Sequence, residues 1–586
     1  MRPGKALKPG VLSALCCLVA MLLTGCSGGS TIDNGLKQTK APISQQVYRY
    51  GDISTDIATF DPGQATDLPS TEAIDMVFTG LVQMDDNLQV QPQLAQSYDI
   101  SRDGLIYTFH LRPNLKFSDG SPLTANDVAY SIDRALSPAV SNANGVTLTY
   151  LGLIKDAPAR VNGKMSTLIG DSIRVLDNNT LQLIVSQQTS YFLEALTYPT
   201  SYVVERSVID KWGSKWTDHL SDNGGQGGDG PFKVQSYNHT TGIVFVPNTN
   251  YYGPQPQLQR VEFDFYKTAE TAFQAYQAGQ VDFVKNLAPD DLSTAQTLPD
   301  DQYRQSGQLA IDYIAMNYLY KPFDNVHIRQ AFELAINKNV ISNAIFQGTR
   351  PATCHIIPNG MPGYNPNLKC PYGASLSGDP VKAKALFAQG LKEEGLTLAH
   401  FPKVTITYRS NSTAVENEMT TMRQQWQQVL GVTVNAQSVD FNQLLKEAAQ
   451  TPCTQSDLSR CLNQGLQMWS LGWIADYPDP QDWITLQFGR GAPNNQWNYG
   501  ENLSSVAAEQ QKEQLQMALA DQQQNQLVRL SMYDQIEQQL INDVAWMPLD
   551  QRSEADVIKP YVVGQLTNAQ SLIPPNDWGN IYIAVH

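Results

Sequence analysis

Positive charge is scarce in this 586-residue chain: 40 Lys and Arg stand against 56 Asp and Glu, a net charge of −16. That balance argues against a nucleic-acid partner, because binding phosphates requires a basic surface. Histidine and cysteine are sparse too, at seven each. The histidines (His110, His219, His239, His327, His355, His400 and His586) are scattered, and no H-E-x-x-H pair occurs. A P-loop and the acidic spacing of an EF-hand are also missing. No apolar run reaches the ~20 residues that span a bilayer as a helix. Two enzyme patterns occur without their context. Gly225-Gln226-Gly227-Gly228-Asp229-Gly230 fits G-x-G-x-x-G, but Pro231-Phe232-Lys233-Val234 after it reads as a strand, not the helix a dinucleotide fold needs. Gly25-Cys26-Ser27-Gly28-Gly29 fits G-x-S-x-G with no strand before it. A large chain without a catalytic constellation is expected to be a binder rather than an enzyme, with no cofactor or metal.

What is present begins at the N-terminus. Arg2, Lys5 and Lys8 precede an apolar run of about 13 residues, Val11 to Leu23, and then Leu23-Thr24-Gly25-Cys26. A basic flank, a short apolar stretch and small residues before a cut make a secretory signal. Leu-Thr-Gly-Cys resembles the bacterial lipobox, which implies a signal peptide over 1–25 and a diacylglycerol on Cys26. Acyl chains anchor a protein at ~0.8 kcal/mol per buried CH₂. Residues 26–45 are small and polar with no apolar period, as in a flexible tether. The expected location is the outer side of the cell membrane, lipid-anchored, at the cell surface or in a periplasm.

Strand-like and helix-like segments alternate along the rest, which predicts an α/β fold. Tyr107–Leu111, Ile243–Val246 and Val261–Tyr266 read as strands. Asp379-Pro380 reads as a helix start ahead of Ala383, Leu386 and Phe387, and Leu527, Leu530, Tyr533, Ile536 and Leu540 form a helical stripe. The polar, glycine-rich Ser221–Gly230 reads as a crossing between lobes. The acidic pairs Asp290-Asp291 and Asp300-Asp301, each after a proline, read as turns or helix starts. With Cys16 and Cys17 in the leader and Cys26 lipidated, four cysteines remain: Cys354, Cys370, Cys453 and Cys461. An even number in an exported protein favours disulfides, and local pairing, Cys354–Cys370 and Cys453–Cys461, is the simplest of the three connectivities. Zinc is the poorer reading, since none of the four forms a C-x₂₋₄-C pair.

Several stretches resemble one family in order and spacing. They are Phe60-Asp61-Pro62; Phe78–Val82; Pro92–Tyr98 with Asp103-Gly104 and Tyr107–Arg112; Phe117–Gly120 with Leu123–Val128; Gly228–Val234 with Asn250-Tyr251-Tyr252; Asn317 with Pro322–Ala331; and Gly472-Trp473-Ile474-Ala475-Asp476-Tyr477-Pro478-Asp479-Pro480. The set is similar to the oligopeptide/dipeptide-binding family, the extracytoplasmic solute-binding proteins of ABC importers, from about Tyr48 to His586. The resemblance implies a two-lobed, periplasmic-binding-protein-like fold (type II, cluster C) with a hinge and a third domain. Lobe I would be 46–88, 201–311 and 556–586, the extra domain 89–200, and lobe II 312–555. Two chain crossings would make the hinge. The implied function is capture of oligopeptides between the lobes by a monomer, and delivery to a membrane permease whose ATPase subunits are separate chains. Relatives in the family bind dipeptides, nickel, haem or oligosaccharides, so those solutes are the alternatives; an exported hydrolase or a chaperone-like surface protein is the rival of another class.

The resemblance also implies site residues. Asp476 would pair with the α-ammonium group of a peptide, and Trp473 would lie at the cleft. A carboxylate in a partly dry cleft suits that cation, because a charge-assisted hydrogen bond contributes ~1.5–3 kcal/mol. Gly472 and Ile474, and from lobe I Asp67 and Leu68, would offer main-chain groups to an extended ligand, as in strand addition. Asn317 is a candidate lining residue. Ser470 stands where some oligopeptide binders place a base for the ligand carboxylate, and the Cys453–Cys461 segment resembles an insertion at the cleft entrance.

Overall fold

The computed structural model describes residues 38–54, 56–144, 147–409, 413–453, 465–492, 494–501 and 507–586. The leader, Cys26, most of the tether and Cys461 lie outside them. No helix among the described residues is long and apolar enough to cross a membrane.

Residues 40–586 form one unit built on a ten-stranded sheet. In chain order the strands used below are β1 (Val47–Asp52), β2 (Ala95–Ile100), β3 (Ile106–Leu111), β4 (Ile173–Asp177), β5 (Thr180–Ile184), β6 (Phe232–Asn238), β7 (Gly242–Pro247), β8 (Arg260–Phe265), β9 (Phe283–Val284), β10 (Tyr303–Met316), β11 (Val404–Arg409), β12 (Val434–Val439), β13 (Met468–Ile474) and β14 (Met547–Ile558). The large sheet runs β12-β11-β13-β10-β14-β9-β1-β8-β7-β6, and β2-β3-β5-β4 form a separate sheet. The strands expected from alternation are β3, β7 and β8.

Each end of the large sheet has its own core. One gathers Tyr48, Phe78, Phe245, Phe263 and Trp578. At the other end, β10 alternates. Ile314 and Met316 face Phe332, Met422 and Trp426, whereas Tyr313 and Ala315 face Trp497, Tyr533 and Trp546. Such a strand is apolar on both faces because both are covered. The four-stranded sheet packs on Val128, Ile132 and Leu136 as a further core. Among the described residues only β10 and β14 run through both ends: β14 pairs with Ile314 of β10 at Met547 and with Phe283 of β9 at Ile558. The register between them slips between Gly307 and Ile311. A local irregularity in a two-strand connection is a natural place to flex.

The helices follow local chemistry. They are α1 (Leu68–Val77), α2 (Thr147–Leu151), α3 (Pro380–Glu393), α4 (Thr413–Leu430), α5 (Pro480–Trp483) and α6 (Gln526–Asp543). Asp379 caps α3 by accepting the Lys382 N–H, as its sequence indicates. Along α6, Tyr533, Ile536 and Leu540 are buried with Arg529, but Leu527 is 81% exposed because it lies off the face that those residues share. Asp290 and Asp291 lie in the first turn of a helix, whereas Asp300 and Asp301 have positive φ and make a turn. Ser221–Gly230 does not cross between lobes. It folds back on the end of α1, where the Gly230 N–H bonds to the Val77 carbonyl, and feeds directly into β6. A side chain at Gly230 would collide with that backbone.

Cys354 and Cys370 are bonded at 2.07 Å, closing a loop along α6. The Cys453–Cys461 pair cannot be followed to Cys461, which is outside the described residues. Cys453 is buried, its N–H on Asn498 Oδ1 at 2.8 Å.

Candidate functional site

The site forms where three parts of the chain meet. Asp67 ends an extended stretch and caps α1, its Oδ1 accepting the Ser70 N–H at 2.9 Å, with Pro69 in the first turn. From the far half, β13 ends at Ile474 and delivers Ala475 and Asp476. Tyr198, Pro199 and Tyr202 close one side, and Asn568, Gln570 and Leu572 another. The cleft between them holds about 710 Å³ of empty space, open solvent included. Asp67, Asp75 and Asp476 contribute to its wall, and no lysine, arginine or histidine does so among the described residues.

Asp476 is half-buried, and its Oδ2 accepts the Tyr150 hydroxyl at 2.5 Å. Tyr150 sits on α2 and stacks on Tyr198 at 3.7 Å between centroids, so the phenol is held in place. Gln570 donates to the Ala475 and Asp476 carbonyls at 3.1 and 2.8 Å. Beneath lies Asp482 of α5, whose Oδ2 accepts the Asp476 N–H at 3.1 Å and the Trp473 indole N–H at 3.2 Å. Burial pushes the Asp476 carboxyl up to about 7, against the pull of the Tyr150 hydrogen bond. Burial, then the Asp476 charge, raises Asp482 further above the carboxylate range. Charge without a partner is disfavoured in such a place, and a cation placed there would restore the ionised form.

The main chain beside Asp476 has a directional property. The Ala475 N–H bonds to the Leu309 carbonyl at 2.8 Å, in line with the β10–β13 register. Antiparallel pairs alternate, so Leu471 and Trp473 exchange bonds with β10, whereas Gly472 and Ile474 turn their N–H and C=O groups the other way. On that side β11 pairs with β13 only as far as Thr407 opposite Trp469. Past that point the edge has no strand partner among the described residues. It reaches the cavity at Ile474.

Of the residues anticipated from sequence, Asp67, Leu68, Ile474 and Asp476 meet in one cavity. Gly472 lies on the same edge, and a side chain on it would strike the Arg552–Asp312 ion pair. Trp473 is half-buried against the core of its own half and held by Asp482, not on the cavity wall. Asn317 is a correction: it is buried away from the cavity, donating to the Leu466 carbonyl and accepting from Leu319 N–H and Asn498 Nδ2. It ties loops together. Sequence reading missed Tyr150, Tyr198, Asp75, Asp482 and Gln570. Only Asp482, six residues past Asp476, had a local signal.

Other motif residues are scaffold. Asp61 accepts the Arg134 guanidinium and the Trp216 indole, and Asp229 accepts both the amide and the hydroxyl of Thr79.

The buried acids have a consequence for stability. Burial leads the causes that place Asp52, Asp229, Asp476, Asp521 and Asp550 at about 7, and Asp75, Glu194 and Glu537 at about 8. Unfolded, these groups titrate near ~4. Between pH ~4 and ~8 the folded chain holds protons that the unfolded chain has lost, so stability falls as pH rises and levels off above ~8. The melting temperature without added ligand is expected to be lower at pH 8.5 than at pH 5.5. A scan in which it rises across that interval contradicts the assignment of these acids.

Residues 89–495 match the family model for bacterial extracellular solute-binding proteins, family 5 (middle region). The oligopeptide-binding protein OppA of Bacillus subtilis is 26% identical over 488 residues, 82% of this chain and 84% of that one. A dipeptide-binding protein of Lactococcus lactis subsp. cremoris is 31% identical over 454 residues, covering 74% and 77%. Among solved structures, the Escherichia coli murein tripeptide binding protein MppA superposes with a TM-score of 0.76 at 22% identity, over 92% of this chain and 99% of that one. Haemophilus influenzae OppA in complex with the peptide RPPGFSPFR gives 0.75 at 21%, with the same coverage. With the family model spanning well over half its length, the chain belongs to the family 5 bacterial extracellular solute-binding proteins.

Proposed function

We propose that this chain is the extracytoplasmic receptor of an ABC importer, that its ligand is an oligopeptide, and that it has no catalytic activity of its own. The observation that carries the reading is Asp476: a half-buried carboxylate on a cavity wall that holds no base among the described residues, at the end of a strand edge with no strand partner among them. The ligand's α-ammonium meets Asp476 and the Tyr150 hydroxyl. The peptide main chain pairs with Gly472 and Ile474 on one side and with the Asp67–Leu68 segment on the other. Main-chain pairing gives affinity without reading side chains, so many sequences can share one cleft.

Lobe I is 46–88, 201–311 and 556–586, lobe II is 312–555, and 89–200 is the domain that supplies Tyr150. Closure swings the lobes about β10 and β14. The monomer, tethered by lipid on Cys26, stays near its permease, and ATP is hydrolysed by separate subunits. Dipeptides, nickel, haem and oligosaccharides are the competing solutes. Against nickel, the described residues hold no group of three or more His, Cys, Asp or Glu side chains placed for a metal ion.

Native mass spectrometry of the purified protein, followed by denaturation and sequencing of what is released, tests the reading. Peptides of mixed sequence are expected. Release of haem, a metal or a sugar alone overturns it.

A further inference from the structure

The segment between Cys354 and Cys370, 16 positions apart, has no helix or strand of its own, yet it is tied down along its length. Fixing a long irregular loop costs conformational entropy, and loops of this length that stay ordered tend to serve a function. It leaves the edge of β14, where the Thr353 N–H bonds to the Leu549 carbonyl at 3.1 Å and the Gln551 N–H to the Pro351 carbonyl at 2.9 Å. Beyond Cys354, the Ile356 and Ile357 N–H groups both donate to Glu537 of α6, a fully buried acid. On the return, Asn365 donates to Asp534, and the Lys369 main chain exchanges two bonds of 2.8 Å with the Gln538 amide, again on α6. The disulfide then closes the loop on itself.

The tip of the loop reaches the hinge. The Asn359 N–H donates to Gln551 Oε1 at 2.9 Å. Gln551 Nε2 donates back to the Asn359 carbonyl and on to the Gln308 carbonyl, both at 2.9 Å. Gln308 lies in the slip between Gly307 and Ile311, where β10 and β14 lose register. Its neighbour Leu309 accepts the Ala475 N–H, next to Asp476. Further on, the loop presses on α5. Gly363 has a φ of +86°, and a side chain there would strike Pro480. α5 carries Asp482, which accepts the Asp476 N–H. Met361, between these two points, is buried in one core with Leu309, Ala475 and Trp483. One loop therefore braces both supports of the Ala475–Asp476 main chain.

Resting on the peptide reading above, we propose that the disulfide-closed segment 354–370 is a strap that positions the ligand site. It holds Leu309 and α5 in fixed relation to each other and to the hinge. The disulfide keeps the strap ordered before ligand arrives, and a site ordered in advance binds tighter because less freedom is lost on binding. The same disulfide also restricts the unfolded chain, which changes stability and not affinity. The two effects respond separately.

Two variants of the full chain tell them apart. C354S/C370S opens the loop and leaves its other side chains in place. Q551A keeps the disulfide and removes the contact at the hinge. Calorimetric titration uses tri-alanine, or a random tri- to pentapeptide pool where tri-alanine does not bind. Affinity is expected to be at least about fivefold weaker in both variants. Hydrogen exchange at 475–483 in the ligand-free chain is expected to quicken in both. The melting temperature is expected to fall in C354S/C370S and to stay near wild type in Q551A. A lower melting temperature with affinity and exchange unchanged makes the disulfide a staple for stability alone and overturns the inference. Should C354S/C370S not fold, Q551A decides, and unchanged affinity there overturns the strap. A wild-type chain that binds neither probe overturns the receptor reading. The strap is then decided by exchange at 475–483: faster exchange in Q551A supports it, and unchanged exchange overturns it.

Discussion

Asp476→Asn is expected to weaken peptide binding by about 10- to 150-fold, the factor that corresponds to losing a charge-assisted hydrogen bond of ~1.5–3 kcal/mol. The substitution keeps shape and an acceptor for the Tyr150 hydroxyl, so the fold has no reason to change. Two controls separate this role from a structural one. An N-acetylated peptide should bind the wild-type chain poorly and the variant about as poorly, because the charge pair is already gone on one side. The pH profile should differ as well. In the ligand-free chain Asp476 titrates at about 7, so wild-type affinity should fall as pH drops below that value, when a proton must leave before the ammonium can pair. The variant has no such proton to displace, and its profile should flatten. Unchanged affinity in Asp476→Asn would mean that the ammonium is held elsewhere or that the ligand is not a peptide.

The second large effect is on stability. Arg529 of α6 grips Asp479 with two bonds of 2.6 Å, both side chains buried. Asp479 in turn caps α5 through the Gln481 N–H at 2.8 Å, three residues past Asp476. Arg529→Met should cost about 3–5 kcal/mol, since removing one partner of a buried pair leaves the other charged and dry. The double variant Arg529→Met/Asp479→Leu should recover much of that loss, because two apolar groups carry no such penalty. Denaturant midpoints for the two singles and the double measure the coupling. A single variant within about 1 kcal/mol of wild type would show that water already reaches the pair.

The Asp479 link also explains why the G-W-x-x-D stretch is legible as a string but not as a site. The string places Trp473 and Asp476 near each other on the chain and says nothing about what faces them. Trp473, read as a cleft residue, turns its indole N–H to Asp482 and packs into the core of its own half. Asn317, read as a lining residue, is used up by loop carbonyls and amides. In both cases a polar group found a partner inside the fold, which local sequence cannot reveal.

By itself the sequence determined the things that depend on near neighbours along the chain. Alternation marked β3, β7 and β8, because a strand's faces repeat every second residue. Asp379-Pro380 marked the start of α3, because a cap acts within one turn. The charge balance and the missing catalytic strings argued for a binder, and the ordered motifs pointed to the family. The tertiary structure alone decided where those pieces meet. Tyr150 reaches Asp476 across 326 positions, and Asp75 lines the cavity only because α1 packs with the end of the chain behind it. Among the described residues the edge at Gly472 and Ile474 has no strand partner, because β11 stops following β13 after Trp469. Pairing and burial are long-range properties, set by which surfaces exclude water together.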